Sequence, residues 1–301
     1  MPQQKSGTPG AGSDAAPYCL APDPSHRRPG WTVPPGACDT HAHVIGSPDR
    51  FPYVADRSYT PPEAPPETYL GMLDALGLDR GVLVQVSVHG TDNRRMAAVL
   101  RAQPARLRGI AVVAPDVSNG ELEDLAAAGV RGLRLNVLFG GGIGFDALET
   151  LASRIAGLGW HLQFLLDARE LPALAPRLER LPVPFVVDHM GHMPTAAGFD
   201  HPGFQTLLRL VRDCGCWVKL SGAYRTSSAG PPFTDTIPFA RALVEAAPDR
   251  MVWGSDWPHV AMDAYMPNTG DLLDLLATWV PDEALRRRIL VDNPARLYGF
   301  E

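Results

Sequence analysis

The chain carries no block of lysine or arginine, and its charge leans the other way, with 27 Lys and Arg against 33 Asp and Glu and a formal net charge of −6. A basic footprint for nucleic acid or for an anionic membrane surface is therefore missing, and small-molecule chemistry is the better prior. No hydrophobic run is long enough to cross a bilayer. The first thirty residues, rich in Pro, Gly and Ser, also lack the apolar segment of a signal peptide. They predict a disordered tail over 1–30, without export or a membrane span, ahead of one domain over 31–301. Cysteine is scarce as well. Cys19, Cys38, Cys214 and Cys216 are too few and too scattered to frame 301 residues with disulfides, which fits a reducing cytoplasm. Cys214-Gly215-Cys216 is spaced more tightly than a structural zinc pair and has no second pair, so it reads as structural. No Gly-x-Gly-x-x-Gly opens a helix. Gly140-Gly141-Gly142-Ile143-Gly144 lacks the flanking geometry and the lysine of a phosphate cradle, so no nucleotide site is expected.

What is present is one pattern, repeated. Short aliphatic runs at 37–45, 81–88, 108–114, 130–138, 160–166, 183–188, 216–221 and 250–256 read as eight strands. Amphipathic stretches at 67–78, 93–103, 119–128, 145–158, 169–179, 203–213, 236–247, 269–279 and 282–290 read as helices. Such alternation means parallel strands joined by crossovers. Eight units at this length close most naturally into a (β/α)8 TIM barrel, an α/β fold; an open doubly wound sheet is the alternative.

A barrel turns sequence position into site position, because active residues sit at the C-terminal ends of the strands. The first strand ends in Asp39-Thr40-His41-Ala42-His43, and the period of two aims His41 and His43 at one volume. The second offers Ser87 and His89, the fourth Arg134 and Asn136, the sixth Asp188 and His189, the seventh Ser221 and Arg225, and the eighth Asp256 and His259. His161 falls at the beginning of its strand and reads as structural. His26, His192 and His201 read as solvated or as local hydrogen-bond partners. Within this set Asp256 can take a proton from water while His41, His43 and His189 polarise a carbonyl and stabilise the developing oxyanion. The bland alternative for Asp256 is a buried carboxylate capping the strand end.

Several motifs together carry a resemblance. Asp39-x-His41-x-His43, Val187-Asp188-His189-Met190-Gly191, Trp253-Gly254-Ser255-Asp256-Trp257-Pro258-His259 and Asp292-Asn293-Pro294-Ala295-Arg296-Leu297-Tyr298 resemble the amidohydrolase superfamily. More narrowly, they resemble its branch containing the 2-pyrone-4,6-dicarboxylate lactonases, from about Asp39 to Phe300. The resemblance implies a cytoplasmic hydrolase of aromatic catabolism that opens a cyclic ester, with the strand-eight acid as general base. It also implies that Arg134 and Arg225 clamp substrate anions, with Ser87 and His89 adding hydrogen bonds. The chain departs from the branch at Gly140 and Leu165, where an arginine and a tyrosine are expected. A muconolactone- or sulfomuconolactone-type substrate therefore ranks above a pyrone dicarboxylate.

His41, His43, His189 and Asp256 could also hold a single zinc ion. Strand five ends in Phe164-Leu165-Leu166 and strand four offers Arg134 and Asn136, so the further ligands of metal-dependent relatives are missing, and no metal is expected to be obligatory. The expected partner is a small anionic lactone, and a homo-oligomer is compatible with the sequence. The alternatives are a sugar-acid lactonase, a metal-dependent decarboxylase or hydratase of the same superfamily, and a catalytically silent barrel acting as a binding module.

Overall fold

Each of the eight aliphatic runs forms a strand in the computed structural model, which describes residues 16–301. The strands are β1 (Cys38–Ala42), β2 (Arg80–Val84), β3 (Leu107–Ala111), β4 (Val130–Asn136), β5 (His161–Leu165), β6 (Phe185–Val187), β7 (Trp217–Leu220) and β8 (Met251–Trp253). Neighbours in sequence are neighbours in space, and every pairing is parallel. Helices cover the outside, which is why Phe185-Val186-Val187 of β6 is buried on both faces and shows no alternation. The result is the expected (β/α)8 TIM barrel.

Local chemistry sets the helix ends. The helix Asn119–Ala128 starts where Ser118 Oγ accepts from Glu121 N at 3.1 Å, and stops at Gly129, whose φ of 106° is costly for any residue with a Cβ. Asn268 caps Thr269–Trp279 in the same way. The expected helix over 145–158 is shorter. Its α-helical part is Leu148–Ile155, with 3-10 turns on either side.

Closure comes at a narrow seam between the first and last strands. Ala42 bridges Trp257, His43 N donates to Trp257 O at 2.8 Å, and Asp256 N donates to His41 O at 2.8 Å. Thr40 Oγ1 donates to Trp253 O at 2.8 Å. The approach requires Gly254, because a Cβ there would stand 2.7 Å from the Cβ of His41.

The expected disordered tail over 1–30 does not describe residues 16–30; residues 1–15 lie outside the described part. Thr60 N donates to Pro17 O at 2.7 Å and Cys19 N to Thr60 O at 2.9 Å, while Leu20 N donates to Met262 O at 2.8 Å. Further along, Asn268 Nδ2 donates to Asp23 Oδ2 at 2.8 Å, and Gly30 N to Asp274 Oδ1 at 2.8 Å. Composition misleads here because this strap takes most of its hydrogen bonds from two loops of the barrel and the helix Thr269–Trp279. The four cysteines are free, and no helix among the described residues is long and apolar enough to cross a membrane.

Candidate active site

The C-terminal ends of β1, β6 and β8 bring four groups to one point. Asp256 Oδ1 lies 3.7 Å from His41 Nε2, 3.8 Å from His43 Nε2 and 3.7 Å from His189 Nε2. His189 and Asp256 reach that point through left-handed backbone, with φ of 51° and 63°. Non-glycine residues seldom adopt it; at Asp256 the seam holds it through Asp256 N and His41 O. Gly222 makes room, since a Cβ there would meet His189 Cβ at 2.8 Å.

Each site residue is oriented from behind. His43 Nδ1 lies 2.8 Å from Val84 O, so Nδ1 carries the proton and Nε2 offers a lone pair. His189 Nδ1 lies 2.8 Å from Ser221 Oγ. Asp256 Oδ2 accepts from Arg225 Nε at 2.7 Å and from Tyr224 OH at 2.6 Å. Behind Tyr224, its oxygen lies 3.1 Å from His259 Nδ1, and His259 Nε2 lies 3.2 Å from Thr269 Oγ1. One oxygen of Asp256 is thus fully engaged, and the other faces the imidazoles.

Electrostatics follow from burial. Loss of water pushes the pKa of His41 down and those of His43 and His189 well down, so the imidazoles are neutral. Burial pushes Asp256 the other way, but the Arg225 guanidinium holds its carboxyl well below the usual range. In the neutral state His43 cannot donate to an oxyanion from Nε2. In that state His43 presents a lone pair at Nε2 toward the reacting centre.

Above this centre is a small cavity of ≈ 10 Å³. His43, Ser87, Arg134, His189, Arg225 and Asp256 line it, together with Tyr59 and His192; Phe139, Leu165 and Val260 supply apolar wall. Two guanidinium groups face the one carboxylate. Both expected clamp arginines are partly engaged within the protein: Arg225 Nη2 donates to Val260 O at 2.9 Å, and Arg134 Nη2 lies 3.4 Å from Asp188 Oδ2. Arg134 Nε is buried without a partner.

Two expectations change. His89 does not line the cavity; its Nε2 accepts from Gly46 N at 3.3 Å, and its ring packs against Phe51 and Tyr53. The period of two fails past Val84, because Ser87–His89 is a 3-10 turn that rotates Ser87 inward and His89 away. His192, read as solvated or local, instead lines the cavity with a buried, unpartnered Nε2. It arrives there through four successive positive φ values: 51°, 50°, 73° and 47° at His189, Met190, Gly191 and His192. Tyr59, Tyr224 and Lys219 were not anticipated. A lysine in the middle of a strand buried on both faces, Trp217-Val218-Lys219-Leu220, was the one legible signal, since such a charge must have internal partners.

His41, His43 and Asp256, and likewise His41, Asp188 and His189, place ligand atoms close enough to share a metal ion. His41 Nε2 is buried without a partner. Three neutral nitrogens around an anionic oxygen make a donor set that suits a single divalent cation. The expectation that no metal is obligatory gains no support from this geometry.

The chain is similar to known proteins over nearly its whole length. The chain is 40% identical over 291 residues to a 4-sulfomuconolactone hydrolase of Hydrogenophaga intermedia, covering 95% of this chain and 96% of the relative. It is 39% identical over 286 residues to a 2-pyrone-4,6-dicarboxylate hydrolase of Comamonas testosteroni, covering 91% and 93%. The crystal structure of an Agrobacterium tumefaciens protein in its apo form superposes with a TM-score of 0.83 at 29% identity, covering 91% of this chain and 99% of that one. The amidohydrolase family pattern matches residues 38–300, and the chain belongs to the amidohydrolase family.

Proposed function

We propose that this protein hydrolyses an anionic lactone of the sulfomuconolactone, muconolactone or pyrone-carboxylate kind, in aromatic catabolism. One observation carries the reading: a carboxylate oxygen ringed by three imidazole edges at 3.7–3.8 Å, under walls that bear two arginines. The names of the relatives at about 40% identity support the substrate class.

In the proposed reaction, water attacks the lactone carbonyl carbon, the ring C–O bond breaks, and a carboxylate, a hydroxyl or enol and one proton to solvent are released. Asp256 Oδ1, the oxygen left free by Arg225 and Tyr224, takes the proton from water and returns it to the leaving oxygen. Arg225 and Tyr224 keep the carboxylate in place throughout. Arg134, with Ser87 and the remaining Nη1 of Arg225, holds the anionic substituent. His41, His43, His189 and Asp256 would hold a divalent cation, which when bound would supply Lewis-acid polarisation of the carbonyl. Leu165 and Phe139 supply apolar wall beside the bound ring.

A lactone panel read with a proton-release indicator tests the assignment. Sulfonated and carboxylated muconolactones should turn over fastest, ahead of a pyrone dicarboxylate, an aldonolactone and a neutral lactone. Absence of turnover on every lactone sinks the proposal, and a preference for the aldonolactone moves the substrate to sugar acids.

A further inference from the structure

Beneath the reacting centre lies a fully buried polar cluster of Gln163, Asp188 and Lys219 that the hydrolytic scheme does not use. Its hydrogen bonds can be assigned by counting protons. Lys219 has three; one goes to Thr40 O at 2.8 Å and one to Gln163 Oε1 at 2.7 Å. The second bond fixes the amide of Gln163, whose Nε2 donates to Asp188 Oδ2 at 3.0 Å. For the third proton there are two acceptors, His41 Nδ1 at 3.3 Å and Asp188 Oδ1 at 3.4 Å. These two acceptors are themselves 3.3 Å apart.

The choice decides which nitrogen of His41 faces the reaction bare. If Lys219 donates to Nδ1, the imidazole proton sits on Nε2 and two buried groups are stranded. Asp188 Oδ1 then has no donor, and the Nε2–H group looks at Asp256 Oδ1 across 3.7 Å, too far for a hydrogen bond. If Nδ1 carries the proton, the Nδ1–H of His41 and the ammonium of Lys219 both face Asp188 Oδ1, at 3.3 and 3.4 Å, as charge contacts without the alignment of full hydrogen bonds, and only a nitrogen lone pair is left over. A buried carboxylate oxygen without a donor is the costlier omission.

We propose that Asp188, paired with Lys219, is a positioning residue that fixes His41 as the Nδ1–H tautomer, so that Nε2 presents a lone pair to the reacting centre. His43 is set the same way by Val84 O. Two lone pairs then flank Asp256 Oδ1, an edge that accepts a cation or a proton and does not donate to an oxyanion. The purpose of the device rests on the hydrolytic reading, but its test uses the resting protein without substrate, so the two can fail separately.

Two-bond 1H–15N correlation spectra of 15N-histidine-labelled protein, stripped of divalent ions with a chelator, report which nitrogen is protonated, with His41 assigned by its loss in His41→Gln. Wild type should show a protonated Nδ1 and an unprotonated Nε2, and Lys219→Met should keep that pattern, whereas donation from Lys219 to Nδ1 predicts a flip. Asp188→Ala should release Lys219 toward Nδ1, making Nε2–H the major form and lowering turnover by ~10–100-fold. A wild type protonated on Nε2 or on both nitrogens overturns the proposal, and so does an Asp188→Ala variant that keeps Nδ1–H. Should that variant not fold, the spectra of wild type and Lys219→Met decide alone. If no lactone is hydrolysed but the tautomer is as stated, the functional reading falls and the positioning role stands.

Discussion

Arg225 grips Asp256 by one oxygen only: its Nε donates to Oδ2 at 2.7 Å, while Oδ1 is left to face the three imidazoles. The arginine expected to bind substrate is thus also a support for the acid, and the consequences of removing either residue are different.

Asp256→Asn should keep the fold and lose at least ~100-fold in turnover, because the amide preserves volume but cannot take up the proton. Circular dichroism and steady-state kinetics check both halves. Turnover within a few-fold of wild type would remove Asp256 from the reaction.

Arg134→Met should raise KM for an anionic lactone by roughly tenfold or more, and leave the neutral analogue nearly unchanged, since a charge-assisted bond contributes about 1.5–3 kcal/mol. Arg225→Met should lower turnover on both substrates, because Asp256 Oδ2 loses its strongest partner. Equal KM increases on anionic and neutral substrates in Arg134→Met would show that this arginine does not read the substituent.

Chelation tests the imidazole cluster. If a divalent ion belongs there, removal should abolish activity and metal analysis should return one ion per chain, with zinc restoring turnover. Full activity in metal-free protein assigns polarisation to the arginines alone.

Stability should fall on acidification. Burial drops His259 and His89 to about 4 and His161 to about 3. Since the unfolded chain protonates near ~6.5, it binds more protons than the folded one below that pH, and stability falls progressively from ~6.5 toward ~4. Thermal melts across that window measure the slope. His161→Gln should flatten it, and an unchanged slope would show that His161 does not contribute.

Much of this was legible in the sequence because a parallel barrel has few degrees of freedom. Aliphatic runs separated by helical periods fix the strands, and Asn119–Ala128 and Thr269–Trp279 even keep their expected bounds. His41, His43, His189 and Asp256 converge because strand ends converge. What escaped was set by backbone that leaves the regular periods: the 3-10 turn that separates Ser87 from His89, and the left-handed run that swings His192 into the cavity. Tyr224 and Lys219 act through partners distant in sequence, which local pattern cannot reveal.

The seam between β1 and β8 has a consequence for biosynthesis. Asp39 and Ser255 are bonded across 216 positions, and Thr40 and Trp253 across 213. Contacts so remote in sequence are costly to close and form late. A nascent chain still missing its final strand holds His41, His43 and His189, but neither the acid nor the seam that orders them. The ester-cleaving centre therefore matures only after the last strand docks, so hydrolytic activity and barrel closure should appear together during synthesis.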